Sequence, residues 1–324
     1  MRTKKPLKRL IMKLKSLDIG RLTTKNNVFV APLAGFSDYA FRYICSSLGA
    51  GLCFTEMISA KGLHFSPAQT SLLTKTSDVE SVKCAQIFGC DPFFMREACE
   101  SKYLEGFDII DVNMGCPVPK VYNNGEGSAL LNNLPLAEKI VEECAKSGKI
   151  ITVKTRLGVK RGESVIDELA KRVEGAGAQM LTVHARYRED FYSGTPDFAA
   201  VKTLKKLIRI PVIFNGGIFT KEDAENAMEK SGADGTMLAR GALEKPWLIS
   251  ELTGGVLPDK KQLIKKHISL LKEFMPDEVA AKYFRKQAAL YLKNARNAKI
   301  LKVRAFAAKT CEELIDVFEQ AEIK

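Results

Sequence analysis

The segment DVNMGCPVPKVYNNGEGSALL, residues 111–131, places a thiol where a strand-like run stops. Pro117 and Pro119 remove two backbone donors and fix φ just after Cys116, while Gly125 and Gly127 permit the turns that follow. Cys116 is therefore held in place at the mouth of a buried strand. Other polar residues recur where apolar runs end: Glu56, Gln86, Asn113, Lys154 and Arg156, His184 and Arg186, Asn215, and Arg240. Asn215-Gly216-Gly217 and Ala239-Arg240-Gly241 offer backbone amides, conformational room and a guanidinium, which together can grip a phosphate. Lys154 and His184 end successive runs and could reach a flat heterocycle, with Lys154 as donor to a ring that becomes anionic on reduction. Gln86 could bond the edge of such a ring.

The elements that must position these groups follow one pattern. Apolar, β-branched runs occur within 26–31 and at 52–57, 83–89, 108–113, 150–158, 180–186, 211–217 and 235–240, each followed by an amphipathic helical pattern. Eight such units predict a parallel (β/α)8 TIM barrel, in which the active site forms at the C-terminal ends of the strands. The helix after the first run is expected to be capped by Ser37 or Asp38. No G-x-G-x-x-G follows a run, so a dinucleotide held on a Rossmann unit is not expected, and flavin mononucleotide (FMN) fits better. Residues 253–261, TGGVLPDKK, form a linker, beyond which helical patterns at 261–274, 277–293 and 297–319 predict a separate all-α domain. The expected division is a basic tail at 1–18, a barrel at 19–253 and a helical domain at 258–324.

Composition excludes several classes. No apolar run approaches the roughly 20 residues of a membrane span and the N-terminus lacks a signal segment, so no membrane partner and a cytoplasmic location are expected. Eight cysteines form no C-x-x-C pair and only three histidines accompany them, which argues for reduced thiols and no metal site. Residues 1–25 carry nine basic and one acidic side chain and residues 256–324 carry fifteen and nine, so the net charge of +12 sits at the ends of a near-neutral middle. From Lys282 to Arg304 there are eight Lys or Arg and no Asp or Glu. Lys282, Arg285, Lys286 and Arg296 are among them, interleaved with Tyr283, Phe284 and Tyr291. A one-sign stripe of this length predicts phosphate binding and a nucleic-acid partner. No obligate protein partner is expected.

Taken in order, APLAG (31–35), FTEM (54–57), QIFG (86–89), NMGCP (113–117), KTRLG (154–158), the HAR–YSG stretch (184–194), NGG (215–217) and ARG (239–241) resemble the signature of bacterial tRNA-dihydrouridine synthases, most like the B-type branch. The resemblance runs from about residue 19 to 247 and continues more loosely through RKQAALYL (285–292). It implies an FMN barrel with a C-terminal tRNA-binding domain, which reduces uridine in tRNA to 5,6-dihydrouridine with NADPH as transient reductant. Carried over position by position, it implies that Pro32, Leu33, Ala34, Gln86, Lys154, Asn215, Gly216, Gly217, Ala239 and Arg240 hold FMN, with His184 beside it. Asn113 and Arg186 would face the uridine. Cys116 would be the acid that protonates one carbon of the uracil double bond as hydride reaches the other. The base is buried in folded tRNA, so it must be flipped out. The chain departs from the family pattern with NGG for NGD, Ala239 for Gly, HAR for HGR, and Gln287 where a histidine is common. Two other readings compete. One is a small-molecule FMN oxidoreductase of the dihydroorotate dehydrogenase or ene-reductase type, which leaves the basic helices without a role. The other is an RNA-binding protein on a barrel that carries no flavin.

Overall fold

Strands form where branched apolar residues run without interruption, in a computed structural model that describes residues 14–66 and 70–323. The basic stretch at 1–11 lies outside the described residues. The strands β3 (Val28–Val30), β4 (Leu52–Ser59), β5 (Lys83–Phe88), β6 (Ile109–Met114), β7 (Ile150–Arg156), β8 (Leu181–His184), β9 (Val212–Asn215) and β10 (Gly235–Leu238) pair in parallel in chain order, and β10 closes on β3. Both faces of each strand are covered, which is why the runs read as continuously apolar and do not alternate. Inside, Phe29, Phe54, Cys84, Ile109, Ile150, Met180, Ile213 and Met237 pack one layer. The register sets Asp111 opposite Gln86 and Thr152, Asn113 opposite Lys154, and His184 opposite Asn215. Side chains alternate along a strand, so the polar residues gather beyond that apolar layer, toward the strand C-termini.

A hairpin of β1 (Leu17–Ile19) and β2 (Leu22–Thr24) precedes the barrel, and Leu17 and Ile19 join the interior apolar layer. The domain boundary expected at residue 18 cuts through this hairpin, so Leu17 and Asp18 belong with the barrel. Its turn uses Gly20 at φ +59°, packed against Gln179 and Ile150 at the opposite end from the polar layer. Of the two candidate caps for the helix Tyr39–Ser47, Asp38 is the one used, accepting from Phe41 N at 2.8 Å. Ser37 Oγ instead accepts from Leu33 N at 2.8 Å and ties the loop after β3.

The C-terminal region is four helices, Lys260–Lys272, Asp277–Tyr291, Ala298–Ala307 and Cys311–Glu319. The single helix expected at 297–319 is two, because Thr310 caps the second through Glu313 N at 3.2 Å. Nor is their core separate. Phe41 of a barrel helix lies 6.0 Å from His267, which meets Phe284 at 5.1 Å, and Trp247 lies 6.3 Å from Tyr291. One hydrophobic cluster runs from the barrel's helical layer through all four helices. Burial lowers the His267 pKa to about 4, so this cluster stays neutral.

Candidate active site

The polar ends of the strands surround a cavity of about 400 Å³. Gln86, Asn113, Lys154, His184 and Asn215 line its floor, while Pro32, Leu33, Ala34, Cys116, Gly216, Gly217, Ala239 and Arg240 line its walls. All thirteen were singled out from the sequence. Among the described residues no group of His, Cys, Asp and Glu could hold a metal ion.

The cysteine loop is pinned at both ends. Asn113 Oδ1 accepts from Gly115 N at 3.1 Å and Cys116 N at 2.9 Å, and Ser128 Oγ donates to the Cys116 carbonyl at 2.7 Å. Gly127, at φ +61°, passes so near that a Cβ would lie 3.0 Å from that of Cys116. Burial pushes the Cys116 thiol up against the opposing pull of the Val118 amide, Arg156 and Lys154, so it keeps its proton at neutral pH. Beneath it Asn113 Nδ2 donates to Gln86 Oε1, and Gln86 Nε2 to Asp111 Oδ2, both at 2.7 Å. Asp111, wholly buried, was missed from the sequence. Its signal was its place two residues before Asn113, on the same strand face.

Lys154 Nζ donates to Asn215 Oδ1 at 3.1 Å, and Asn215 Nδ2 to the Met237 carbonyl at 2.8 Å. Burial, reinforced by Arg156, brings the Lys154 pKa down to about 8. His184 is held well below the ordinary imidazole value by burial and by the cations Arg156, Lys154, Arg186 and Arg240. Arg186 Nη1 lies 3.1 Å from His184 Nε2, which must then accept, so the ring proton sits on Nδ1.

Arg186 was expected to face the substrate. The residue is 5% exposed, and its guanidinium donates to the Ser193 carbonyl at 2.9 Å and the Gly194 carbonyl at 2.8 Å. Gly216, at φ +129°, makes room for this, since a Cβ there would lie 3.0 Å from Arg186 Nη1. Arg156, 1% exposed, plays a similar part: it donates to the Gly115 carbonyl at 2.8 Å and to the Tyr187 and Phe191 carbonyls at 2.9 Å, tying the cysteine loop to the 187–194 segment. That segment lays Tyr192 over His184, rings 6.3 Å apart, with the Arg240 guanidinium 5.0 Å from the tyrosine ring. Tyr192 lines the cavity and had been passed over as a site residue. The loops after β9 and β10 touch: a Cβ on Gly241 would lie 2.3 Å from the Ile218 carbonyl oxygen.

The basic stripe of the C-terminal helices divides. Lys282 and Arg296 are exposed, the latter 3.8 Å from Glu322. Arg285, half-buried, donates to the Ala308 carbonyl at 2.6 Å and so serves the helical region itself. Lys286 Nζ lies 3.5 Å from the Tyr283 ring centre and 5.3 Å from that of Phe36, under the loop that carries Pro32, Leu33 and Ala34. Burial lowers its pKa. Gln287, also buried, donates to the Leu243 carbonyl at 2.8 Å, and Lys293 pairs with Glu244 at 2.8 Å. Lys286 and Gln287 of the helix Asp277–Tyr291, with Lys293 just beyond it, thus brace the loops of the cavity.

A family model described as dihydrouridine synthase (Dus) matches residues 29–323. A probable tRNA-dihydrouridine synthase of Rickettsia bellii is 36% identical over 296 residues, covering 87% of this chain and 90% of its own length. A tRNA-dihydrouridine synthase B of Pasteurella multocida is 34% identical over 303 residues, covering 90% and 91%. Among solved structures, histamine dehydrogenase from a Rhizobium species superposes with a TM-score of 0.60 at 16% identity over 81% of this chain, which spans about half (51%) of that longer protein. A morphinone reductase variant in complex with tetrahydroNAD gives 0.54 at 14% identity, covering 76% and 93%. At such identities the likeness is one of fold.

Proposed function

The chain belongs to the dihydrouridine synthase family, and on that premise we propose that it reduces uridine in tRNA to 5,6-dihydrouridine, with FMN in the barrel-mouth cavity and NADPH as reductant. The observation that carries this is the pinned, protonated Cys116 thiol at the wall of a cavity whose floor and far wall carry Lys154, His184, Asn215 and Arg240. The cavity's donor set fits FMN: a buried ammonium whose acceptor is one neutral amide, an imidazole N–H, and two touching glycine loops whose backbone a side chain would obstruct. Bound FMN would supply the hydride.

The chain's own residues do the rest. Gly216, Gly217, Ala239 and Arg240 would take the phosphate, and Lys154 and Gln86 the ring edge. Asn113 would take the base, while Arg186 and Arg156 act by holding His184 and the cysteine loop. Uracil is a poor hydride acceptor, so proton delivery must accompany hydride arrival, and the Cys116 Sγ–H supplies it. A protonated thiol suits this work, whereas a nucleophilic cysteine would need its pKa lowered. The flipped base costs a few kcal/mol of unstacking, recovered through phosphate contacts that include Lys282 and Arg296. Among the described residues no helix is long and apolar enough to cross a membrane, and we place the work in the cytoplasm, where tRNA is.

The test is nucleoside mass spectrometry of tRNA from a strain lacking dihydrouridine, complemented with this chain or with Cys116→Ala. Dihydrouridine from the intact chain alone is expected. Equal product from both would remove Cys116 from its role, and none from either, with flavin retained, would favour a small-molecule substrate.

A further inference from the structure

Beneath Cys116 the hydrogen bonds run one way, toward Asp111. Gly115 and Cys116 N–H donate to Asn113 Oδ1, Asn113 Nδ2 to Gln86 Oε1, and Gln86 Nε2 to Asp111 Oδ2. Thr152 Oγ1 donates to the other oxygen of Asp111 at 2.7 Å. One end of this line is backbone N–H, which cannot accept, and the other is a carboxylate, which cannot donate when ionised. Turning over either amide would set oxygen against oxygen or N–H against N–H in a buried site, and each such mismatch is costly. The remaining valences then follow by elimination. Asn113 has spent both lone pairs of its oxygen and one N–H, so it has one N–H left. Gln86 has spent one of its two N–H groups and one of the two lone pairs of Oε1, so it keeps one donor and one acceptor, and both residues line the cavity.

We propose that Asp111 is a positioning residue: as terminal acceptor it fixes which way the Gln86 and Asn113 amides face, pins the Cys116 loop through Asn113, and leaves Asn113 able only to donate, so that the floor beside Cys116 selects a ligand edge that carries carbonyl oxygen over one that carries an amino group, while Gln86 keeps one N–H for the ligand. On the function proposed above, from which this follows, such edges belong to uracil, as against cytosine, and to the carbonyl-bearing side of a flavin. The barrel register makes the device possible, since Asp111 lies directly between Gln86 and Thr152 on the neighbouring strands. Burial brings the Asp111 pKa up to about 6, so at pH 8 it is ionised and the line has its direction.

The test is a compensating pair at pH 8, read on the purified flavoprotein. Gln86→Glu sets a second carboxylate against Asp111. Asp111→Asn alone still accepts from Gln86 and donates to Thr152. In the double variant Asn at 111 donates to Glu at 86, and the line is continuous again. The readouts are the thermal midpoint, the iodoacetamide alkylation rate of Cys116 with Cys116→Ala as blank, and the absorbance band of bound flavin. We expect Gln86→Glu to melt earlier and to alkylate roughly tenfold faster, Asp111→Asn to change little, and the double variant to recover most of both. The flavin band should stay shifted in the double variant, whose residue 86 has no N–H left to give the ligand. Additive losses in the double variant, or a Gln86→Glu protein that behaves like the parent, would overturn the locking role; an unshifted band would overturn the selectivity. Midpoint and alkylation need no tRNA, so they stand or fall apart from the uridine-reduction experiment.

Discussion

The barrel mouth and the C-terminal helices both carry clustered cations, and they use them in opposite ways. At the mouth Lys154, Arg156 and Arg186 are desolvated, their pKa values lowered by burial, and each donates to a named oxygen. On the helical region Lys282, in the helix Asp277–Tyr291, and Arg296, in the turn that follows it, stand in solvent. A charge in a low-dielectric pocket acts strongly, at fixed geometry and nearly independently of salt, whereas an exposed one acts weakly and is screened within about 10 Å at 0.1 M salt. The mouth is thus suited to chemistry on a small group, and the exposed helix surface to a large polyanion that many weak contacts hold in summation.

That contrast can be broken at several points, and the largest effect should come from the phosphate side of the mouth. Arg240→Ala combined with Asn215→Ala removes the guanidinium and the amide that both receives Lys154 and bonds the Met237 carbonyl. The expected outcome is a colourless protein, with FMN affinity down roughly 10²-fold, two charge-assisted bonds being lost. Flavin absorbance after gel filtration checks it, and full occupancy would move the phosphate site elsewhere.

A smaller effect should appear with pH. Burial lowers Lys154, so its ammonium is present below about 8 and lost as pH rises through that value. Affinity for an anionic ligand should therefore fall above pH 8, and Lys154→Met should flatten the profile by removing the titrating group. Fluorescence titration of FMN across pH 6.5 to 9 on both proteins would reveal a profile that the substitution leaves unchanged, in which case Lys154 does not face the ligand.

The smallest effects sharpen the comparison most. Lys282→Ala and Arg296→Ala should each weaken tRNA binding severalfold and reduce the salt slope by about one. Lys286→Ala should leave that slope unchanged and instead loosen FMN, because its ammonium sits under the loop holding Pro32 to Ala34. Filter binding over a salt series separates the three, and a slope change in Lys286→Ala would return it to the docking surface.

Much of the mouth was legible in the sequence, because a parallel barrel brings the C-terminal ends of all its strands to one place. Cys116, Asn113, Lys154, His184, Asn215 and Arg240 could be named from strand ends alone. Asp111 escaped because a buried carboxylate inside an apolar run looks like any interruption of the run, and only the register shows that Gln86 and Thr152 flank it. The bonds of Arg186 to the Ser193 and Gly194 carbonyls were hidden for a related reason. Side-chain type shows that a guanidinium can bond carbonyls, but which carbonyls reach it depends on where the 187–194 segment folds.

Periodicity and residue type, then, determined the eight strands, the thiol at the mouth and the two glycine loops, since these depend on neighbours within a few residues. Tertiary structure decided the rest: the hairpin that fills the barrel's far end, the continuity of the C-terminal helices with the barrel's outer layer, and the division of the basic stripe into braces and exposed charges. A cation's role is set by how much water it keeps and which acceptor it meets, and both depend on residues far away in the chain.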